Sequence, residues 1–413
     1  MNSRERLIAS INHIEPDKTP VDLGSNPSSG ISAIAYSNLI SYLNKEYLPV
    51  QIYDVVQQLA QPHDEILEEL GVDVVDLGRM FNDQHDDWYE IIMSNGKKAF
   101  YPKWFKPIKT ENGEWLATDK LGNQIARMPN KATFFDQTIF PWVDAYPENM
   151  NGLDEAMSKV LWSAFVHSPW DNLHMPDFWE QLRKRTQKLR SESDKAIMVV
   201  AGCNLFEWGT FIRRMDNFLM DLYVEPGNVE ILLDALMDRH MAFLAKICEA
   251  VGDVADVIRF GDDLGTMTGP FMDTDTYRML FKPRHKILCD YVKANSSMKI
   301  FLHSCGSIYE LIPDLIEAGF DILNPVQTQC TDMQPEKLKA EFGKEVTFWG
   351  GGIETVGTLN NARPEDVRTQ TLERLEILSK GGGFIFNPIH NIMPEVPPEN
   401  IVAMFNAVKE FNK

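Results

Sequence analysis

Short apolar runs alternate with longer stretches of helical period along most of the chain. The runs fall at residues 21–23, 72–77, 196–201, 257–260, 299–302, 322–326, 346–349 and 384–386. Each is too short for a buried helix and is bounded by Gly, Asp, Asn or Pro, which reads as a strand covered on both faces. Between them, apolar positions recur at three- and four-residue spacing over 228–251, 275–295, 308–318, 335–342, 364–379 and 398–411, which predicts amphipathic helices. Further helices are expected at 3–13, 31–44, 64–70, 175–189 and 217–223. Strand–helix alternation implies a parallel sheet with crossover helices, and eight such units predict a closed (β/α)8 TIM barrel. An open doubly wound sheet is the competing arrangement, but no Gly-x-Gly-x-x-Gly follows an early strand.

One segment breaks the pattern. Residues 80–150 are rich in Trp, Tyr and Phe and carry the turn pairs Asn95-Gly96, Asn112-Gly113 and Gly122-Asn123. Short antiparallel strands are expected there at 89–93, 98–101, 114–118 and 124–128. This is read as a β-rich insertion after the second strand of a single 1–413 barrel domain, serving either as a substrate lid or as a surface lobe. Residues 142–170 are expected to be helical and irregular.

Composition narrows the class. The chain has 413 residues, 44% hydrophobic and 24% charged, which is ordinary for a globular protein. A formal charge of −20 argues against nucleic acid and anionic membranes as partners. No apolar run approaches the ~20 residues of a membrane span. The five cysteines form no disulfide-like pattern and no leader segment is evident, so a cytoplasmic setting is expected.

In a barrel of this kind the active site lies at the carboxyl ends of the strands. The fifth run ends in His303-Ser304-Cys305-Gly306. On a strand, residues two apart share a face, so His303 and Cys305 aim at one space. Imidazole and thiolate together suit a borderline-soft ion, above all zinc. His390, after the last strand, would face the same mouth. A His/Cys/His set with an open fourth position suits a catalytic zinc site; alternatively His390 hydrogen-bonds substrate. Asp262 and Asp263 end the fourth strand as candidate catalytic carboxylates, as second-shell partners of the histidines, or with one of them capping the next helix. Glu207 is a candidate ligand or base, or a first-turn helix carboxylate. Asn204, Gln327, Asn387 and Arg79 complete the polar mouth as candidate substrate contacts.

These residues carry a resemblance. Arg4-Glu5-Arg6 with Asp17-Lys18-Thr19-Pro20, Asn204-Leu205-Phe206-Glu207, Gly261-Asp262-Asp263-Leu264-Gly265, His303-Ser304-Cys305-Gly306, Asn324-Pro325-Val326-Gln327, Trp349-Gly350-Gly351-Gly352 and Gly383-Phe384-Ile385-Phe386-Asn387 resemble the uroporphyrinogen decarboxylase / corrinoid-dependent methyltransferase superfamily. The resemblance implies a TIM barrel. Its decarboxylase branch carries arginines in the loop after the first strand, whereas Gly24-Ser25-Asn26-Pro27-Ser28-Ser29-Gly30 has none. Its methyltransferase branch carries zinc on His-x-Cys plus a later cysteine. His303 and Cys305 match, and His390 stands where that cysteine would be. Gln327 is nearest to the carboxylate that the branch carries near the end of the sixth strand. The favoured implication is a zinc-dependent methyltransferase acting between a small-molecule methyl donor or acceptor and a cobalt corrinoid (cobalamin) on a small partner protein. A tetrapyrrole decarboxylase and a non-catalytic corrinoid or tetrapyrrole carrier are the alternatives. A homodimer is left open.

Overall fold

The computed structural model describes residues 1–163 and 166–413. Seven parallel strands form one curled sheet in the order Phe384–Ile385, Thr347–Trp349, Ile322–Asn324, Lys299–His303, Val257–Gly261, Ala196–Gly202 and Val74–Asp76. Val21 supplies the eighth stave. It pairs in parallel with Phe386, and its carbonyl accepts from Asp73 N at 2.8 Å, so the chain at Val21 is bonded to both edges and closes the ring. All eight predicted runs therefore become staves of a TIM barrel. Ala196–Gly202 is buried at every position, as expected for a strand covered on both faces.

The floor of the ring is plugged by the helix Ser3–Ile11. Asn2 and Glu5 cap its start reciprocally, Asn2 Oδ1 accepting from Glu5 N at 2.8 Å and Glu5 Oε2 from Asn2 N at 3.0 Å. Leu7 and Ile11 then project into the ring interior among Val74, Ala196, Val257 and Phe301. Two arginines of the same helix fasten it from outside. Arg4 pairs with Asp256 at 2.6 Å and Arg6 with Asp73 at 2.6 Å, both acids lying just ahead of strands.

Between the second and third staves the chain makes antiparallel excursions. Trp88–Ile92 pairs with Lys98–Pro102, and Ile108–Lys109, Trp115–Thr118, Gln124–Met128 and Asp136–Gln137 form a second sheet. Two differences from expectation matter. The helix expected at 31–44 begins at Ala33, and a small antiparallel sheet flanks it, Ile31–Ser32 before it and Ile52–Asp54 and Leu59–Ala60 after it, built from segments too short to show a period. Residues 142–170 hold a short helix, Leu153–Ser158, and 3-10 turns, with 164 and 165 outside the described residues. No described helix is long and apolar enough to cross a membrane.

Because Leu7 is fully buried at the floor, Leu7→Ala removes its contacts with little room for collapse. A loss of about 2–5 kcal/mol is expected, read as a lower urea midpoint with unchanged slope.

Candidate metal centre and substrate cavity

Alternation along the staves builds the site. Val257, Phe301, Ile322 and Ile385 pack in the ring interior. The residues two positions on, Arg259, His303, Asn324 and Asn387, therefore point the same way one layer higher. An apolar floor is thus overlaid by a polar layer at the carboxyl ends. Above it lies a cavity of about 270 Å³ lined by His303, His390, Glu207, Asp263, Arg259 and Asn204, with Trp162, Val166 and Phe211 as its apolar wall.

The strand Lys299–His303 stops where Gly306 takes φ +88°. A Cβ on Gly306 would come 2.3 Å from the carbonyl of Gly265, so only glycine lets the two strand-end loops stack. Ser304 Oγ accepts from Leu264 N at 3.0 Å, and Asp263 Oδ1 accepts from Cys305 N at 2.8 Å. These contacts hold Cys305 Sγ 3.4 Å from His303 Nε2.

Both imidazoles are aimed by amides. Asn324 spends its Nδ2 on Trp349 O at 2.8 Å, which turns its Oδ1 to His303 Nδ1 at 2.7 Å. Asn391 spends its Nδ2 on Gln57 Oε1 at 3.2 Å and turns its Oδ1 to His390 Nδ1 at 2.7 Å. An amide oxygen accepts, so each ring carries its proton on Nδ1 and keeps the Nε2 lone pair free. The rings lie 5.5 Å apart, and one ligand atom each from His303, Cys305 and His390 fall within 4.8 Å of one another. Zinc held tetrahedrally would set an N···S edge of about 3.6 Å, close to the 3.4 Å between His303 and Cys305. The donor set fits zinc in type and in tautomer.

Burial shapes the charges. It pushes His303 and His390 below the usual imidazole range, so both stand neutral. It pushes the Cys305 thiol well up, with Asp263 and Glu207 adding to the rise. Glu207 is raised to about 8, first by burial and then by Asp263 and Asp262. A bound dication reverses the direction for a thiol it contacts.

The predicted residues divide. Asn204, Glu207, Asp263, His303 and His390 meet at the cavity, with Cys305 beside His303. Asp262 does not join them. Its oxygens accept from Leu205 N at 3.2 Å, Phe206 N at 3.0 Å and Glu207 N at 2.9 Å, so it caps the helix Phe206–Arg213, which precedes it in the chain. Arg79 is turned outward, onto Pro62 O at 3.0 Å and Asp64 at 2.7 Å. The Gln327 amide oxygen accepts from Gly306 N and supports the loop. Asn387 is fully buried beside Gly350 and outside the lining. No residue of 80–150 is in the described lining, so the apolar wall does not come from the insertion. The sequence reading missed Arg259, Asp54, Gln57 and His167. For Arg259 a signal existed, an arginine inside a buried strand. Asp54 ends a three-residue strand too short to show a period, and Gln57 and His167 lie on irregular segments that carry none.

Residues 166–411 match the family model described as Uroporphyrinogen decarboxylase (URO-D). The chain is similar to the uroporphyrinogen decarboxylase of Methylococcus capsulatus, 27% identical over 195 residues, 46% of this chain and 51% of that protein. The one from Pelodictyon phaeoclathratiforme is 23% identical over 310 residues, 71% of this chain and 84% of that protein. In the first of these matches the chain spans about half the length of the curated relative. Among solved structures, a methyltransferase from Methanosarcina mazei superposes over 100% of both chains with a TM-score of 0.59 at 16% identity, a likeness of fold.

Glu207 gives a pH signature. Its folded pKa, about 8, lies above the 4.5 of an unperturbed glutamate, so the folded chain binds that proton more tightly than the unfolded chain. Stability from this group is full below the unfolded value and is lost as pH rises toward the folded one. The slope is at most about 1.4 kcal/mol per pH unit. Glu207→Gln is expected to flatten the stability of metal-free protein over that window, measured by urea unfolding at a series of pH values.

Proposed function

The chain belongs to the uroporphyrinogen decarboxylase (URO-D) family, and within it we propose a zinc-dependent methyltransferase that moves a methyl group between a small molecule and a cobalt corrinoid carried by a separate protein. One observation carries the reading. His303, Cys305 and His390 present three deprotonatable donors to one point, with both imidazoles locked in the metal-binding tautomer by Asn324 and Asn391. The three protein donors leave a fourth position for substrate. Zinc in that set would supply a Lewis acid for an ether oxygen or lower the pKa of a substrate thiol.

The chain's own groups do the rest. Asn204 and Glu207, joined by a hydrogen bond, form one wall of the cavity. With its carboxyl raised to about 8, Glu207 holds a proton at neutral pH. It can give that proton from its carboxyl oxygen to a substrate oxygen that has lost its methyl group. Asp263 Oδ1 accepts from Cys305 N at 2.8 Å and so fixes the Cys305 donor relative to the cavity. Trp162, Val166 and Phe211 exclude water from an apolar substrate body.

The names of the relatives favour a second reading, decarboxylation of a tetrapyrrole. The cavity opposes it. Its volume, about 270 Å³, is at the low edge of the ~300–1,000 Å³ of drug-sized sites. Its lining offers one arginine to a substrate with many carboxylates.

The test is metal content and methyl transfer. Purified protein should hold one zinc per chain and transfer methyl groups between methyl ethers or thiols and reduced cobalamin. Cys305→Ser should lower both zinc affinity and rate by at least about tenfold. Absence of zinc from wild-type and variant alike, or carbon dioxide release from a porphyrinogen without methyl transfer, overturns the reading.

A further inference from the structure

Arg259 is the one strongly basic side chain among the described residues of the cavity lining, and its surroundings do not account for its charge. It lies in the strand Val257–Gly261 on the face that points into the ring. A Cβ on Gly261 would come 3.0 Å from Arg259 Nη1, so glycine at that position is what lets the guanidinium lie across the strand end. Nη2 donates to Ser28 Oγ at 3.0 Å, and Nε is buried with no acceptor among the described residues. Two other enclosed arginines are paired with acids, whereas Arg374, outside this cavity, is not among the described residues. Arg213 meets Asp221 at 2.8 Å and Arg6 meets Asp73 at 2.6 Å. A desolvated guanidinium without an anion is costly, and a chain keeps one where something else brings the anion.

The acids in the lining, Asp54, Glu207 and Asp263, form no ion pair with it among the described residues, although Glu207 and Asp263 lie near enough to act on its charge, and Asp263 Oδ1 is taken by Cys305 N at 2.8 Å. Asp54 spends its oxygens on Val56 N at 2.9 Å, Gln57 N at 2.9 Å and Gln57 Nε2 at 3.0 Å. Glu207, nearest in charge effect, is itself raised to about 8 and stands protonated at neutral pH. A dication in the His303/Cys305/His390 set would exceed the single negative charge of its thiolate, which deepens the demand for an anion.

We infer that the substrate carries a carboxylate that Arg259 receives, with Ser28 holding the far edge of the guanidinium. The cavity's small volume and the wall of Trp162, Val166 and Phe211 fit a small acid with an apolar body, the acid group at Arg259 and the reacting end toward His303 and His390. A carboxylate matches the planar fork with two parallel hydrogen bonds. The inference rests on the cavity being the substrate site of the proposed transfer and adds the class of substrate.

The experiment reads binding, so that it separates from the transfer itself. Methoxyacetate and meta- and para-methoxybenzoate are titrated calorimetrically into the metal-free and the zinc-loaded protein, each against its neutral carboxamide. At least one acid should bind more than about tenfold tighter than its amide. Arg259→Gln should remove that preference while leaving the amide's affinity within about threefold, and Arg259→Lys should keep only part of it, a point charge without the fork. No acid exceeding its amide in the wild-type protein overturns the inference, as does a preference that survives Arg259→Gln. If Arg259→Gln fails to fold, the wild-type comparison of acid with amide decides alone. Acid preference without methyl transfer to or from cobalamin sinks the proposed transfer and leaves the carboxylate site. Methyl transfer without acid preference does the reverse.

Discussion

A strand in a closed ring delivers every second side chain to the interior, and the site depends on that alternation. Val257 and Arg259, Phe301 and His303, Ile322 and Asn324, Ile385 and Asn387 repeat the same step, apolar then polar two residues on, around the ring. The lower member fills the barrel with apolar volume and the upper member opens as polar chemistry. Because neighbouring strands are hydrogen-bonded in register, the positions across the ladder are fixed. Gly261 stands opposite His303, and His303 opposite Asn324. A one-residue slip would turn the histidine into the surrounding helices and bring Leu302 into the mouth.

Fixed register makes relays between strands possible. His303 is oriented by Asn324 from the next strand, and Asn324 by the backbone of Trp349 from the strand beyond. Asp262, at the end of one strand, holds the start of the helix that carries Glu207 from the strand before it. His303 and the helix bearing Glu207 therefore take their direction from neighbours in space that are distant in sequence, whereas His390 takes its own from the adjacent Asn391. Polar groups buried this way are costly unless every partner is present, which gives the site rigidity of the kind a catalytic constellation needs.

Much of this was legible before any coordinates. The apolar runs were short, evenly interspersed with helices and eight in number, and His303 with Cys305 obeyed the two-residue rule. Arg259 obeys the same rule, but it lies inside its strand, where an arginine reads as part of the apolar run and not of the mouth beyond its end. Asp262 and Asp263 are adjacent, so alternation lets only one face the cavity. The sequence does not say which, because that is fixed by where Leu205, Phe206 and Glu207 present their N–H groups. Asp54 and Gln57 were out of reach because they sit beside two- and three-residue strands. Gln57 supports Asn391, and through it His390, so part of the metal centre's bracing comes from a segment without a pattern.

The seam at Val21 sets an order of events. Val21 meets Phe386 across almost the whole chain, and His390 follows only a few residues after that contact. On a ribosome, the earlier staves emerge and pair first, leaving a curved sheet with two raw edges. The stave that joins them and the histidine that completes the donor set leave the exit tunnel together. Closure of the ring and completion of the His303, Cys305 and His390 set thus coincide, and a nascent chain released early would hold neither a sealed sheet nor the third of these side chains.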